Sequence, residues 1–272
     1  MRIVTLLPSA TDIVAALGAG ADIVGVSHSC GPDWSHLPAL TSTTVDTGAD
    51  ATVIDAQVKE AAAPLYHLDI ELLAQLAPDV VVSQSLCDVC AVASGDVEAA
   101  IAALPSRPKL VNLMPFRLAD VPQGIRDVGV AIGRTIEAEQ LLAEWEANLV
   151  HFQALGRERT GRPRVAFLDW LAPPFAAGHW LPDMLDLLGC DSALAQPGEP
   201  SYEVTWEKVR QAQPDLVLAA ACGQSASRAR QDASQTGAEL VLLDGDVHFS
   251  RPSPALLESL AVLERTLAAR GL

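Results

Sequence analysis

The chain has 272 residues, more than one average domain and enough for two small ones. Half of it is hydrophobic and only 4% aromatic, and its formal net charge of −16 argues against nucleic acid or anionic lipid as a partner, both of which need clustered Lys and Arg. No stretch is apolar for long enough to span a bilayer, and five cysteines, an odd number, suit a reducing compartment better than a disulfide framework.

Met1-Arg-Ile-Val-Thr-Leu-Leu runs straight into a core strand, Ile3 to Leu7, with no charged leader or cleavage site ahead of it. The expected location is therefore the cytoplasm, or the periplasm or exterior if a leader has been trimmed. Ser9 is placed to cap a helix through Leu17, with Asp12 completing a capping box and Gly18 ending it. Ile23 to Val26 reads as a second strand, and the polar stretch from His28 to about Pro64 as mostly irregular. Asp69 starts a helix ending near Leu76, Asp79 to Ser83 is a buried strand, and a helix over Val97 to Leu104 leads to a strand at Leu110 to Leu113. Leu118, Val121, Ile125, Val128 and Ile132 then fall at helical spacing, as do Leu141, Trp145, Leu149 and Phe152. Nothing breaks the helix from Ile136 to Leu155, roughly 30 Å at 1.5 Å per residue. Gly156 to Pro163 resets the chain for a second α/β run.

That second run repeats the first. Glu71-Leu-Leu-Ala-Gln-Leu-Ala-Pro-Asp-Val-Val-Val matches Glu207-Lys-Val-Arg-Gln-Ala-Gln-Pro-Asp-Leu-Val-Leu at a constant offset of 136 positions. Arg2-Ile-Val-Thr-Leu likewise parallels Arg164-Val-Ala-Phe-Leu. The pattern predicts an α/β fold of two lobes with parallel sheets: an N-terminal lobe over 1–117, connecting helices over 118–160 and a C-terminal lobe over 161–272.

Ligands of open parallel sheets sit beyond the carboxyl ends of the strands, and the segments there carry the candidate residues. Pro8 and Ser9 follow the first strand, His28 and Cys30 the second, and Cys87 and Cys90 the third. In the second lobe the equivalents are Trp170, Phe175, His179 and Trp180, then Cys222, then Phe249. Trp34 and Trp206 join these aromatics, which together suit a broad, partly apolar ligand. The Cys87-x-x-Cys90 pair admits three readings: metal ligation completed by His28, Cys30 or Cys222, a dithiol redox pair, or two incidental thiols. His179 is either an axial metal ligand or a helix-start residue, and Cys190, which follows a helix, reads as a small buried hydrophobe. Phosphate-binding glycine loops, G-x-S-x-G and H-E-x-x-H are all absent, which removes most support from nucleotide-dependent enzymes, serine hydrolases and zincins.

Arg2-Ile-Val-Thr-Leu-Leu-Pro-Ser-Ala-Thr-Asp-Ile-Val-Ala-Ala-Leu-Gly, then Val24-Gly-Val-Ser, Pro78-Asp-Val-Val-Val and His248-Phe-Ser-Arg-Pro-Ser-Pro, resemble the substrate-binding proteins of vitamin B12 and iron-siderophore ABC importers. Within them the chain is similar to the cobalamin-binding, helical-backbone metal-receptor group. The resemblance covers the whole chain and implies two Rossmann-like lobes joined by a long rigid helix, with the ligand in the cleft between lobes. It also implies a non-enzymatic protein that binds a corrinoid or another metal-containing small molecule and has an ABC transporter as a partner. The cysteine-bearing Ser27-His-Ser-Cys and Leu86-Cys-Asp-Val-Cys stretches, and the missing leader, depart from the family pattern. They keep two alternatives in view, a cytoplasmic zinc or iron carrier and a redox enzyme working through Cys87 and Cys90.

Overall fold

The first apolar run forms a fully buried strand, β1 (Ile3–Thr5), and the computed structural model, which describes residues 1–84 and 92–272, continues in alternating helices and strands. The chain divides into two units: Met1–Gly48, Ala56–Met114 and Asp120–Ala143 make the first, and Ala49–Asp55, Pro115–Ala119 and Glu144–Leu272 the second.

In the first unit β1 leads to α1 (Pro8–Ala16), β2 (Ile23–Gly25) and β3 (Thr41–Thr43). After α2 (Ala51–Glu60) come β4 (Tyr66–Leu68), α3 (Ile70–Leu76), β5 (Val80–Gln84), α4 (Ser94–Ala103), β6 (Lys109–Leu113) and α5 (Val121–Ala131). Four strands form a parallel sheet in the order β2-β1-β5-β6, with Val4 opposite Val81 and Thr5 opposite Val82. Val4, Leu6 and Val81 pack against Leu40, Leu73, Val97 and Leu104 to make one core. The chain leaves β1 towards β2 and returns to β5 on its other side, so the β1–β5 boundary is the switch point where a ligand crevice opens in such sheets. β3 and β4 pair separately as an antiparallel ribbon.

The helix α6 (Thr135–Glu158), 24 residues long, starts in the first unit and ends in the second. There follow β7 (Arg164–Leu171), β8 (Pro174–Ala176), α7 (Leu181–Leu187), β9 (Asp191–Ser192), β10 (Tyr202–Glu203) and α8 (Trp206–Gln211). The chain ends with β11 (Leu216–Ala219), α9 (Ala226–Ser234), β12 (Val241–Leu242) and α10 (Leu256–Ala268). The sheet of this unit runs β10-β8-β7-β11-β12, with β9 also on β7. Its β7-β11-β12 part is parallel, while β8 and β10 fold back antiparallel, so the sheet is mixed rather than wholly parallel.

The internal repeat holds down to single hydrogen bonds. Asp79 accepts the Arg2 backbone N–H at 2.8 Å, and Asp215 accepts that of Arg164 at 2.8 Å. Each arginine side chain donates to a carbonyl at a helix end, Arg2 to Leu76 and Arg164 to Ala212. Asp69 caps α3 and Thr205 caps α8, again 136 positions apart. Ala77 and Gln213, at the same offset, both turn through positive φ. The two α/β units are thus built with the same local devices.

Three local expectations are corrected. The N-cap of α1 is Leu7, not Ser9, because Pro8 with its fixed φ takes the first helical position. The stretch read as mostly irregular contains β3 and α2. And α6 continues through Gly156 to Glu158, because that glycine is a helix contact point rather than a breaker.

Candidate ligand-binding site

At the carboxyl ends of the first sheet, a short parallel bridge joins Val26 to Ala39, and Leu40 N–H donates to Val26 O at 2.8 Å. This places Thr41, the first residue of β3, beside Ser27. The two buried hydroxyls lie 2.9 Å apart, and Thr41 Oγ1 also accepts the His28 backbone N–H at 3.1 Å and lies 2.6 Å from His28 Nδ1. His28 Nε2 sits 3.2 Å from Ser29 Oγ, and the imidazole leans on the Tyr66 ring with centroids 5.8 Å apart. Burial lowers the His28 pKa, which favours the neutral ring. Leu6, Leu7, Pro8 and Val92 complete a recess of about 40 Å³ in front of these polar groups.

Thr11 links this cluster to the core: its hydroxyl is 2.7 Å from Thr5 Oγ1 and 3.2 Å from Cys30 Sγ. Pro8 lines the recess, whereas Ser9, the next residue, is buried with a hydroxyl that has no hydrogen-bond partner among the described residues. Trp34 stacks on His36 and packs towards Gly20, away from the residues that line the recess.

In the second unit, Asp169 stands near the end of β7. Desolvation pushes its carboxyl up to about 6, against the opposing effect of the Ser201 hydroxyl, which donates at 2.5 Å, and of its own backbone N–H. Trp170 pairs with Phe175 across the β7–β8 hairpin, and both are half-buried. Trp170 and Trp206 pack on the core of this unit together with Tyr202. His179, at positive φ just before α7, lies between Phe116 at 6.4 Å and Trp180 at 5.7 Å. Its buried Nδ1 has no partner among the described residues, and burial lowers its pKa.

Trp180 and Phe249 fill the core instead of lining an open face: they are 5% and 2% exposed, and the Trp180 indole N–H donates to Phe249 O at 2.8 Å. The sequence showed aromatics near strand ends but not which of them turn inward. Gln224, 6% exposed in the segment after β11, has neither amide atom hydrogen-bonded among the described residues, and the buried Nδ1 of His248 has no partner among them either. Thr41, Tyr66, Ser201 and Gln224 had no sequence motif to mark them. Their positions follow from strand pairing.

Of the thiols, Cys222 is exposed beyond β11, Cys30 is half-buried, and Cys190 is fully buried with its pKa pushed up to about 11 by burial, which leaves it unreactive. Cys87 and Cys90 lie outside the described residues. Among the described residues no group of three or more His, Cys, Asp or Glu could hold a metal ion, so His28, Cys30 and Cys222 do not make such a centre from described residues. Nor is any described helix long and apolar enough to cross a membrane.

Three arginines near these strand ends have acidic or carbonyl partners within the chain. Arg117 clasps Asp183 through Nε at 2.8 Å and Nη2 at 2.5 Å, Arg228 bonds the Ala49 carbonyl and faces Asp50 at 3.9 Å, and Arg251 faces Asp246 at 3.6 Å.

Residues 3–242 match the model of a family described as periplasmic binding protein. Among solved structures, the periplasmic heme-binding protein RhuT from Roseiflexus sp. RS-1 superposes with a TM-score of 0.73 at 23% identity, covering 100% of this chain and 99% of that one. The periplasmic vitamin B12 binding protein BtuF of Vibrio cholerae gives 0.69 at 18%, covering 98% and 96%. A possible iron-binding (periplasmic solute-binding) protein from Staphylococcus epidermidis ATCC 12228 gives 0.69 at 21%, covering 98% of both. No curated protein matches the chain. The family consists of binding proteins, not enzymes, and is typically periplasmic or extracellular, so the expected cytoplasmic location finds no support. On the extent of that match the chain belongs to the periplasmic binding protein family.

Proposed function

We propose that this protein binds a corrinoid, a cobalamin-like metal macrocycle fringed with amides, at the carboxyl ends of its strands and delivers it to an ABC transporter. The structural relatives bind vitamin B12 in one case and heme in another, and charge favours the first. Heme carries two propionates, and burying a carboxylate without a cation is strongly unfavourable. The segments between the strands of the two sheets and the helices that follow contain two basic residues, Arg117 and Arg251, with Arg228 in the first turn of α9, and no lysine. All three are already held by carboxylates or a carbonyl of the chain. The segment 85–91 adds no basic residue, only Asp88. A periphery of neutral amides needs no cation and meets hydroxyls, imidazoles and amides that can bond it. Trp170, Phe175 and Trp206, all of the second unit, are the rings we assign to the macrocycle.

Equilibrium titration of the purified protein with cyanocobalamin and with hemin, followed by tryptophan quenching, tests this reading. Cyanocobalamin is expected to bind at least about tenfold more tightly, equivalent to 1.4 kcal/mol. Hemin binding as tightly as cyanocobalamin, or in its place, overturns it.

A further inference from the structure

We infer that the recess beside His28 is a subsite for one uncharged hydrogen-bonding arm of the ligand, a primary amide, held by the Ser27 hydroxyl and the His28 ring, both of which Thr41 orients. This rests on the reading that the ligand is amide-fringed and meets the strand ends.

Size is the first argument. A water needs about 10–15 Å³ of such space, so a recess of about 40 Å³ admits on the order of three heavy atoms, the number in a carboxamide. Polarity is the second. The mouth lies at the ends of β1 and β2, and its polar wall is made of hydroxyls and one imidazole with no cation. A carboxylate would enter without a counter-charge from any side chain that lines the recess.

The third argument is proton counting at Thr41. A threonine hydroxyl has one proton and two lone pairs. One lone pair takes the His28 backbone N–H. The remaining lone pair and the proton must serve Ser27 Oγ and His28 Nδ1, one each. Only two arrangements exist. If Nδ1–H donates to Thr41, then Nε2 is an acceptor; if Thr41 donates to Nδ1, then Nε2–H is a donor. The relay can therefore turn the imidazole's outer nitrogen to either polarity, which suits a group carrying both an N–H₂ and a C=O. His28 is thereby assigned to the rim of the ligand, not to its metal.

Two experiments test the subsite. Acetamide and acetate are titrated separately into the protein while the His28 ring signals are followed by NMR. Acetamide is expected to shift them saturably, acetate to leave them in place, and Thr41→Val to abolish the response. In parallel, cyanocobalamin affinity is measured for Thr41→Val, Thr41→Ser and His28→Leu, with thermal unfolding as a check on folding. Thr41→Val and His28→Leu should each weaken binding about tenfold, the effect of a lost hydrogen bond with its partner stranded, and Thr41→Ser should restore it. Should Thr41→Val not fold, His28→Leu and the acetamide titration decide alone. Unchanged affinity in the folded variants, no saturable acetamide shift, or an equal shift with acetate overturns the subsite. If acetamide moves His28 but cyanocobalamin does not bind at all, the subsite stands and the corrinoid reading falls.

Discussion

At the scale of single residues, Asp169 carries the clearest energetic signature. Its carboxyl titrates at about 6 in the folded chain against an ordinary value of 3.8, because the end of β7 removes water from it faster than Ser201 and its own backbone N–H replace the lost hydrogen bonds. A raised folded value means that the native state holds the proton more tightly than the unfolded chain. The associated stability is fully present below about pH 4 and is lost as pH rises through about 6. Asp169→Asn keeps an oxygen for the Ser201 hydroxyl and never ionises. The variant should therefore exceed the wild type in stability by on the order of 1–2 kcal/mol above pH 7, with the gap closing towards pH 4. Urea unfolding at a series of pH values checks this, and parallel curves for the two proteins would contradict it. Because the charge sits beside Trp170 at the strand ends, the same titration alters the field that any ligand meets there.

At the scale of elements, the helix contacts depend on two glycines. A Cβ on Gly156 of α6 would come within 2.2 Å of Leu187 O and 2.8 Å of Gly189 N, so the backbones of α6 and of the turn after α7 touch directly. Gly156→Ala should destabilise the protein by on the order of 2–3 kcal/mol, since neither partner is a side chain that could swing away. Gly95→Ala in α4 meets nothing within 4 Å and should be neutral or slightly stabilising. Equal unfolding midpoints for the two variants would refute the close approach. Gly156 also shows where reading the sequence stops. A glycine beside polar residues reads as a helix end, yet here it marks a crossing, and only the neighbouring turn reveals which. The Pro-Asp junctions before β5 and β11 were legible because their signal is local: a cap, a helix end, a proline and an apolar run in fixed order. By contrast β3 and β4 are three residues each, and α2 buries only Ala51, so neither shows an apolar period. The candidate site divides the same way. The segments beyond the strands follow from topology, while the recess depends on Thr41 and Tyr66, brought in by a ribbon that only pairing defines.

At the scale of the whole molecule, the formal charge of −16 sets how ligands arrive. Summed charge of one sign steers oppositely charged ligands and accelerates their association, an effect that fades as salt shortens its range. The screening length falls from about 30 Å at 0.01 M to about 8 Å at 0.15 M ionic strength, so steering from distant carboxylates disappears within that interval. Corrinoids allow a clean comparison, since diaquacobinamide is cationic and cyanocobalamin is neutral while both carry amide arms. Stopped-flow association of the cationic ligand should slow by about threefold to tenfold between those two ionic strengths, and that of the neutral one should stay nearly constant. The dissociation rates of both should change little, because the hydrogen bonds proposed for the amide arms are short-range and salt does not reach them. A salt dependence shared equally by both ligands would show that the acidic surface serves solubility alone and takes no part in capture.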